Sequence, residues 1–186
     1  LRAGNWAGWR PTHLRGTQVT GKTLGCIGFG RIAQATADRA HFGFGMKIIF
    51  SDPYMPSDEV IKKYDATPCS SVEEVLEKAD FVSIHCPGGE STYHLMNKER
   101  IGKMKKGAYL INSARGDVID NDALIEALDE GQFDAAFIGD KVESISYSIL
   151  PFIVRKSDIV NGNFIFEAIP YFSVISLYPS LYDGTT

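Results

Sequence analysis

Long apolar runs, paired cysteines and an excess of positive charge are all missing from this 186-residue sequence. No apolar stretch approaches the roughly 20 residues of a membrane-spanning helix and no signal peptide is recognisable, so we expect no membrane partner. The net charge of −4 argues against a nucleic-acid surface. Because the three cysteines form no C-x-x-C pair, we expect reduced thiols, a cytoplasmic location and no metal site.

The clearest motif is G-x-G-x-x-A, which starts at Gly28 directly after an apolar run over residues 23–27. Gly28 permits a tight turn from strand into helix, and Gly30 lets backbone N–H groups come close to a pyrophosphate. Ala33 is small enough for the helix to lie against the strand. The N-terminus of that helix presents unpaired N–H groups to an anion, so the motif predicts a dinucleotide-binding turn.

An acidic residue follows the second apolar run, which covers residues 46–50. Asp52 lies about twenty residues past the motif, where a carboxylate can accept hydrogen bonds from both ribose hydroxyls. The same carboxylate would repel a 2′-phosphate, so NAD is predicted rather than NADP. S-adenosylmethionine is an alternative ligand at this point, since its sites also place an acid after the second strand.

Short apolar runs alternate with helical patterns over residues 22–140, which we predict to be a nucleotide-binding domain. Ser71 and Glu74 form the S-x-x-E pattern of a capping box and mark one helix start. The alternation predicts an α/β fold, a doubly wound parallel sheet with strand order 3-2-1-4-5-6 and ligand beyond the carboxyl ends of its strands. Further strands are predicted at 66–69, 81–85, 108–112 and 135–138, and helices at 57–64, 71–77, 97–105 and 121–130.

The two ends of the chain differ from this pattern. Residues 1–21 contain Trp6 and Trp9 and are predicted to be a linker or interface segment. Residues 141–186 are rich in Ile, Ser, Phe and Tyr but have no clear period, so we predict an irregular tail. Because the first residue is Leu1 rather than methionine, we expect earlier sequence, with any targeting signal, to be missing.

Two segments, residues 9–54 and 81–131, resemble the nucleotide domain of NAD-dependent D-2-hydroxyacid dehydrogenases, and the first looks like the glyoxylate and hydroxypyruvate reductase branch. The resemblance covers roughly Arg2 to Gln132. It implies a Rossmann domain and hydride transfer between NAD(H) and a small 2-hydroxy or 2-oxo acid. It also implies a set of cofactor-binding residues: Gly28, Gly30, Arg31 and Ile32 at the phosphate turn, Asp52 at the ribose, Cys86 and Pro87 along the cofactor, and Ser113, Ala114 and Arg115 at the nicotinamide.

Arg115 is the candidate catalytic residue. It follows an apolar strand and precedes Gly116, so it is predicted to lie at the carboxyl end of that strand. A guanidinium in this place can bind a substrate carboxylate through two parallel hydrogen bonds and orient the acid for hydride transfer. The alternative is a surface arginine paired with Asp117 or Asp120.

The family mechanism needs two further residues, a histidine that transfers a proton and a glutamate, about thirty residues past the arginine, that holds the histidine. The four histidines all precede Arg115: His13, His41, His85 and His94. We interpret His85 as a packing or cofactor-side residue. Glu143 falls near the position expected for the glutamate, and Asp140 falls near the position expected for an aspartate beside the cofactor. The residues around them do not match the family pattern.

The resemblance also implies assembly, since the family segment that matches residues 6–16 helps to bury a two-fold interface; we therefore expect a homodimer. The family wraps a substrate domain around the nucleotide domain from both chain ends. We expect this chain as written to bind cofactor and to catalyse poorly or not at all. The loss of resemblance near Gln132 suggests a frameshifted or misassembled reading.

Two other interpretations remain open at the level of sequence. One is an NAD-responsive interaction protein, because transcriptional corepressors of the C-terminal-binding-protein type resemble the same family. The other is an orphan fragment without activity.

Overall fold

A computed structural model describes residues 17–132 and, as backbone only, residues 135–138, 152–155, 159–160 and 163–164. Most of the predicted linker, including Trp6 and Trp9, lies outside the described residues. So do Asp140 and Glu143. Among the residues described, no helix is long and apolar enough to cross a membrane.

The fold is a seven-stranded sheet in the order β3-β2-β1-β4-β5-β6-β7. The first six strands pair in parallel, and β7 joins the far edge antiparallel to β6. The predicted doubly wound sheet, with order 3-2-1-4-5-6, is confirmed. The strands of this sheet are β1 Thr23–Ile27, β2 Lys47–Ser51, β3 Thr67–Pro68, β4 Phe81–Ile84, β5 Tyr109–Asn112, β6 Ala135–Ile138 and β7 Phe152–Arg155.

The C-terminal tail contributes three of the described strands, although no strand register could be predicted for it from the sequence. One is β7, and the others form a two-stranded antiparallel ribbon of β8 Ile159–Val160 and β9 Asn163–Phe164. Their composition, rich in Ile, Phe and Val, is that of strands. No alternation of polar and apolar residues fixes their pairing in advance.

Within residues 17–132, five α-helices connect the parallel strands. They are α1 Arg31–Asp38, α2 Asp58–Lys63, α3 Val72–Lys78, α4 Lys98–Gly102 and α5 Asn121–Asp129. The helix α1 continues into a π-helical turn, Arg39–Gly43, and short 3₁₀ turns cover Glu90–Thr92 and Gly116–Val118.

The predicted capping box begins α3. Ser71 Oγ accepts a hydrogen bond from Glu74 N at 3.2 Å, as predicted. The Glu74 carboxylate accepts from Ser70 N at 2.7 Å, one residue earlier than the usual reciprocal bond. Asn97 and Asp120 cap α4 and α5 in the same manner, which satisfies N–H groups that would otherwise lack partners.

Buried side chains form two clusters, one on each face of the sheet, because successive residues of a strand point to opposite faces. Leu24 and Cys26 of β1 lie in the cluster beneath α1 and α2, whereas Ile27 lies in the larger cluster beneath α3, α4 and α5. Fully burying an aliphatic or aromatic side chain of this size contributes about 1.5–3 kcal/mol to folding. Both faces of the sheet are therefore covered.

Candidate functional site

The turn after β1 strongly favours glycine at its first position. Gly28 has a φ of +87°, and a Cβ placed on it would lie 3.0 Å from the backbone N of Cys86. Its own N–H donates to Ser51 O at 2.8 Å, which ties the turn to the end of β2. The turn therefore joins the carboxyl ends of three strands, β1, β2 and β4.

Gly30 leaves the N-terminus of α1 open. It is the N-cap residue, no side chain caps the helix there, and a Cβ at this position would meet no atom within 4 Å. Arg31 and Ile32 are exposed, with Ile32 72% accessible. Ala33 is fully buried against the sheet. Open space, unpaired N–H groups and the positive end of a helix dipole are what an anionic pyrophosphate requires.

Asp52 is attached to the same turn, a contact that the sequence analysis missed. Its Oδ2 accepts from Phe29 N at 2.6 Å, and its Oδ1 accepts from Tyr54 N at 2.7 Å. The carboxylate is partly exposed. Since an ionised carboxylate has about four acceptor sites, two remain for ribose hydroxyls.

The loop after β4 contains Cys86 and Pro87. Cys86 is half-buried, and burial raises the pKa of its thiol, so the thiol stays protonated. Pro87 is exposed, and its carbonyl accepts from Thr92 Oγ1 at 2.7 Å, which holds the loop closed. The described residues contain no group of three or more His, Cys, Asp or Glu side chains that could hold a metal ion.

His85 lies at the base of this loop, at the end of β4. Its Nε2 is 2.9 Å from Ser83 Oγ, and its backbone N–H donates to Ile27 O. Burial lowers the pKa of the imidazole, so the neutral form is favoured. This neutral, partnered ring supports the interpretation of His85 as a packing residue.

The loop after β5 is held by Asn112, the last residue of that strand. Asn112 is fully buried; its Nδ2 donates to Arg115 O at 2.8 Å, and its Oδ1 accepts from Ala114 N at 3.0 Å. Ser113 and Arg115 are exposed on the loop that this side chain closes. A polar residue ending an apolar strand was the available sequence signal for this role.

Arg115 points its side chain along the loop rather than to a neighbouring acid. Its Nη1 donates to Ala114 O at 2.8 Å. Among the ion pairs of residues 17–132, none joins Arg115 to Asp117 or Asp120. Asp120 instead caps α5 and lies 3.9 Å from Nδ1 of His94. The guanidinium therefore keeps donors for a ligand.

A continuous path of contacts links the phosphate turn to Arg115. The Gly28 turn abuts Cys86, and a Cβ placed on Gly88 would lie 2.8 Å from Cγ of Arg115. The structure thus brings the predicted residues at the ends of β1, β2, β4 and β5 to one edge of the sheet. Ligands of doubly wound sheets bind at that edge.

Comparison with known proteins assigns the chain to a family. The family model for the NAD-binding domain of D-isomer specific 2-hydroxyacid dehydrogenases matches residues 1–144, which is most of the chain and extends beyond Gln132. The chain belongs to this family. It is an NAD-binding domain, and S-adenosylmethionine is no longer needed as an alternative ligand.

Similar proteins include a glyoxylate reductase from Thermofilum pendens, 47% identical over 134 residues that make up 70% of this chain and 38% of that protein. A hydroxypyruvate reductase from Thermotoga maritima is 43% identical over 69% of this chain and 40% of that protein. The chain thus spans about two fifths of the length of these curated relatives.

Solved structures of the family share the fold. A D-isomer specific 2-hydroxyacid dehydrogenase from Polaromonas superposes with a TM-score of 0.71 at 35% identity, covering 79% of this chain and 45% of that one. A D-lactate dehydrogenase from Aquifex aeolicus, complexed with NAD and lactic acid, gives 0.63 at 36% identity, covering 69% and 37%.

The described residues fit NAD on their own geometry. Space lies open in front of the uncapped N-terminus of α1, where a pyrophosphate would need it. The Asp52 carboxylate beside it retains acceptor capacity.

Proposed function

We propose that this chain binds NAD(H) for the interconversion of a small 2-hydroxy acid and its 2-oxo acid, with Arg115 as the residue that binds the substrate carboxylate. Gly28, Gly30, Arg31 and Ile32 would bind the pyrophosphate and Asp52 the adenosine ribose. Cys86, Pro87, Ser113 and Ala114 would line the cofactor between the turn and Arg115. When bound, the nicotinamide supplies or accepts the hydride.

The observation that carries this proposal is the placement of Arg115. It is an exposed guanidinium without an acidic partner in residues 17–132, on a loop fixed by Asn112 and in contact with the loop after β4. A planar, always charged fork suits a carboxylate better than any other side chain. At the carboxyl edge of the sheet, beside the proposed cofactor site, it would hold the acid in an orientation suited to hydride transfer.

Glyoxylate and hydroxypyruvate are the proposed substrates, because similar proteins carry the names glyoxylate reductase and hydroxypyruvate reductase. These enzyme names favour a dehydrogenase over an interaction protein of the corepressor type. Both acids are small and anionic, and a single arginine with hydrogen bonds to two carboxylate oxygens is a sufficient anchor for them.

Proton transfer is the step for which the histidine of the family mechanism has no counterpart, because no histidine follows Arg115 in the sequence. His85 is half-buried, neutral and bonded to Ser83. We therefore propose that the 186-residue polypeptide binds cofactor and acid but does not turn over the acid at a measurable rate.

A homodimer and a cytoplasmic location complete the proposal. Trp6 and Trp9 supply large apolar area of the kind that anchors interfaces, and thiols without partners, such as Cys26, Cys69 and Cys86, suit a reducing compartment. Sedimentation at micromolar concentration should give the mass of a dimer; a monomer alone would contradict this part of the proposal.

Acid binding tests the proposed function most directly. We expect oxamate, an unreactive analogue of 2-oxo acids, to bind to the chain loaded with NADH. Replacing Arg115 by Ala should weaken oxamate binding by about tenfold or more, because a charge-assisted bidentate contact is lost, with a smaller effect on NADH. Equal oxamate affinity in the two proteins would contradict the role of Arg115.

A further inference from the structure

Arg115 is constrained on two sides by residues that carry no charge. One constraint acts on its side chain and comes from the loop after β4. The other acts on its backbone and comes from the end of β5. Neither residue is in the set of proposed cofactor contacts.

Gly88 lies directly against the aliphatic stem of Arg115. A Cβ at this position would stand 2.8 Å from Cγ and 3.3 Å from Cβ of Arg115, and 3.3 Å from Oδ1 of Asp117. The backbone of Gly88 is outside the left-handed region, so its conformation alone does not require glycine. The requirement for glycine here is therefore space for Arg115.

The stem of Arg115 cannot yield as a flexible side-chain tip would. Its Cβ follows from the backbone and its Cγ from χ1, so a new atom at residue 88 must displace either this stem, through χ1, or the loop that carries residue 88. The opposite loop resists movement as well, because Thr92 Oγ1 bonds Pro87 O at 2.7 Å and Gly89 O at 3.2 Å. A change of χ1 would move the guanidinium further than the atoms of the stem, because the guanidinium lies several bonds beyond the rotated bond.

Asn112 fixes the backbone from which this side chain extends. It is fully buried and uses both ends of its amide, donating to Arg115 O at 2.8 Å and accepting from Ala114 N at 3.0 Å. The register pairs it with Ile84 of β4 and Ile138 of β6, so its backbone is held between two neighbouring strands. The amide supplies both the donor that Arg115 O needs and the acceptor that Ala114 N–H needs.

We propose that Gly88 and Asn112 are positioning residues that fix the guanidinium of Arg115 for the substrate carboxylate. Gly88 selects the χ1 rotamer, and Asn112 sets the loop that carries the side chain. The inference rests on the proposed function, in which Arg115 binds the acid. It predicts that changes at these two uncharged positions reduce acid binding selectively.

The test compares oxamate and NADH affinities in matched variants of the full chain, each checked for its urea unfolding midpoint. Gly88→Ala should raise the dissociation constant of oxamate about tenfold, the loss expected when a bidentate contact is misaligned, with NADH affinity and the unfolding midpoint close to the unmodified values. Gly102→Ala is the matched control, because a Cβ there would meet no atom within 4 Å.

Asn112→Asp is the second, independent variant. It keeps an acceptor for Ala114 N–H but replaces the donor to Arg115 O by an oxygen, so the loop should shift and oxamate binding should weaken. Asn97→Asp is its control, since Asn97 caps α4 through an acceptor that aspartate retains. We expect that control to leave oxamate affinity unchanged.

The outcomes separate the inference from the proposed function. Oxamate binding that Arg115→Ala weakens but Gly88→Ala and Asn112→Asp do not would overturn the inference alone. Equal weakening of oxamate and NADH in those two variants would also overturn it, because a general structural role would then suffice. No oxamate binding by the unmodified chain, or no effect of Arg115→Ala, would overturn the proposed acid site and the inference together.

Discussion

The two halves of the site differ in what holds them. On the nucleotide side, Asp52 binds the backbone of the Gly28 turn, and that turn binds the end of β2. On the acid side, Arg115 extends from a loop whose backbone is held by the side chain of Asn112. The nucleotide side is thus tied together by hydrogen bonds between separate strands, whereas the acid side, within residues 17–132, presents an exposed guanidinium without an acidic partner.

The largest predicted effect concerns chemistry on the acid side. Hydride transfer to a 2-oxo acid leaves a developing alkoxide that must be protonated. A general acid that donates this proton typically raises the reaction rate by about 10²–10⁴-fold. We expect the 186-residue polypeptide to oxidise NADH with glyoxylate, hydroxypyruvate or pyruvate at no measurable rate, as followed by NADH absorbance. An NADH-dependent rate abolished by Arg115→Ala would refute this, and would mean that another residue supplies the proton.

The next effect concerns the nucleotide side. Gly28→Ala places a Cβ 3.0 Å from Cys86 N at a φ of +87°, and such strain costs on the order of 1–3 kcal/mol. We expect a lower urea midpoint and weaker NADH binding. Gly43→Ala is a suitable control, because a Cβ there would meet no atom within 4 Å. A Gly28→Ala protein with unmodified stability and NADH affinity would show that the turn is not braced as described.

A smaller effect is expected away from both sites. Ser71→Ala removes the acceptor of the Glu74 N–H at the start of α3 and should cost about 1 kcal/mol of unfolding free energy. NADH and oxamate affinities should not change. Weakened binding of either ligand would show that α3 is coupled to the site.

The smallest predicted effect is a pH dependence that arises from His85. Burial lowers its pKa from the ordinary value of 6.5, so the unfolded chain takes up the proton first as the pH falls. The stability contribution of this residue is therefore complete above pH 6.5 and is lost as the pH falls through the lower, folded pKa. His85→Gln should lose less stability than the unmodified protein between pH 7 and pH 5 in urea titrations; an equal loss would exclude His85 as the cause.

The sequence predicted some features of the fold and the site but not others. Local patterns were sufficient for the Gly28 turn, Asp52 and the capping residue Ser71, because each acts on atoms a few residues away or on a motif of fixed spacing. The Asp52 contact to Phe29 N and the packing of Gly88 on Arg115 join residues that are distant in sequence, and no local pattern encodes them. The pairing of β7 with β6 was missed for the same reason.

The central claim is that the nucleotide side is an NAD site in which Asp52 faces the ribose, and a comparison of NADH with NADPH tests it most directly. Titration of both cofactors by protein fluorescence should show NADH binding several-fold to a hundredfold more tightly, on the order of 1–3 kcal/mol, because the carboxylate repels a 2′-phosphate. Asp52→Asn should reduce the ratio of NADH affinity to NADPH affinity, because the repelling charge is removed. Equal affinities in the unmodified chain, or a preference for NADPH, would contradict the account.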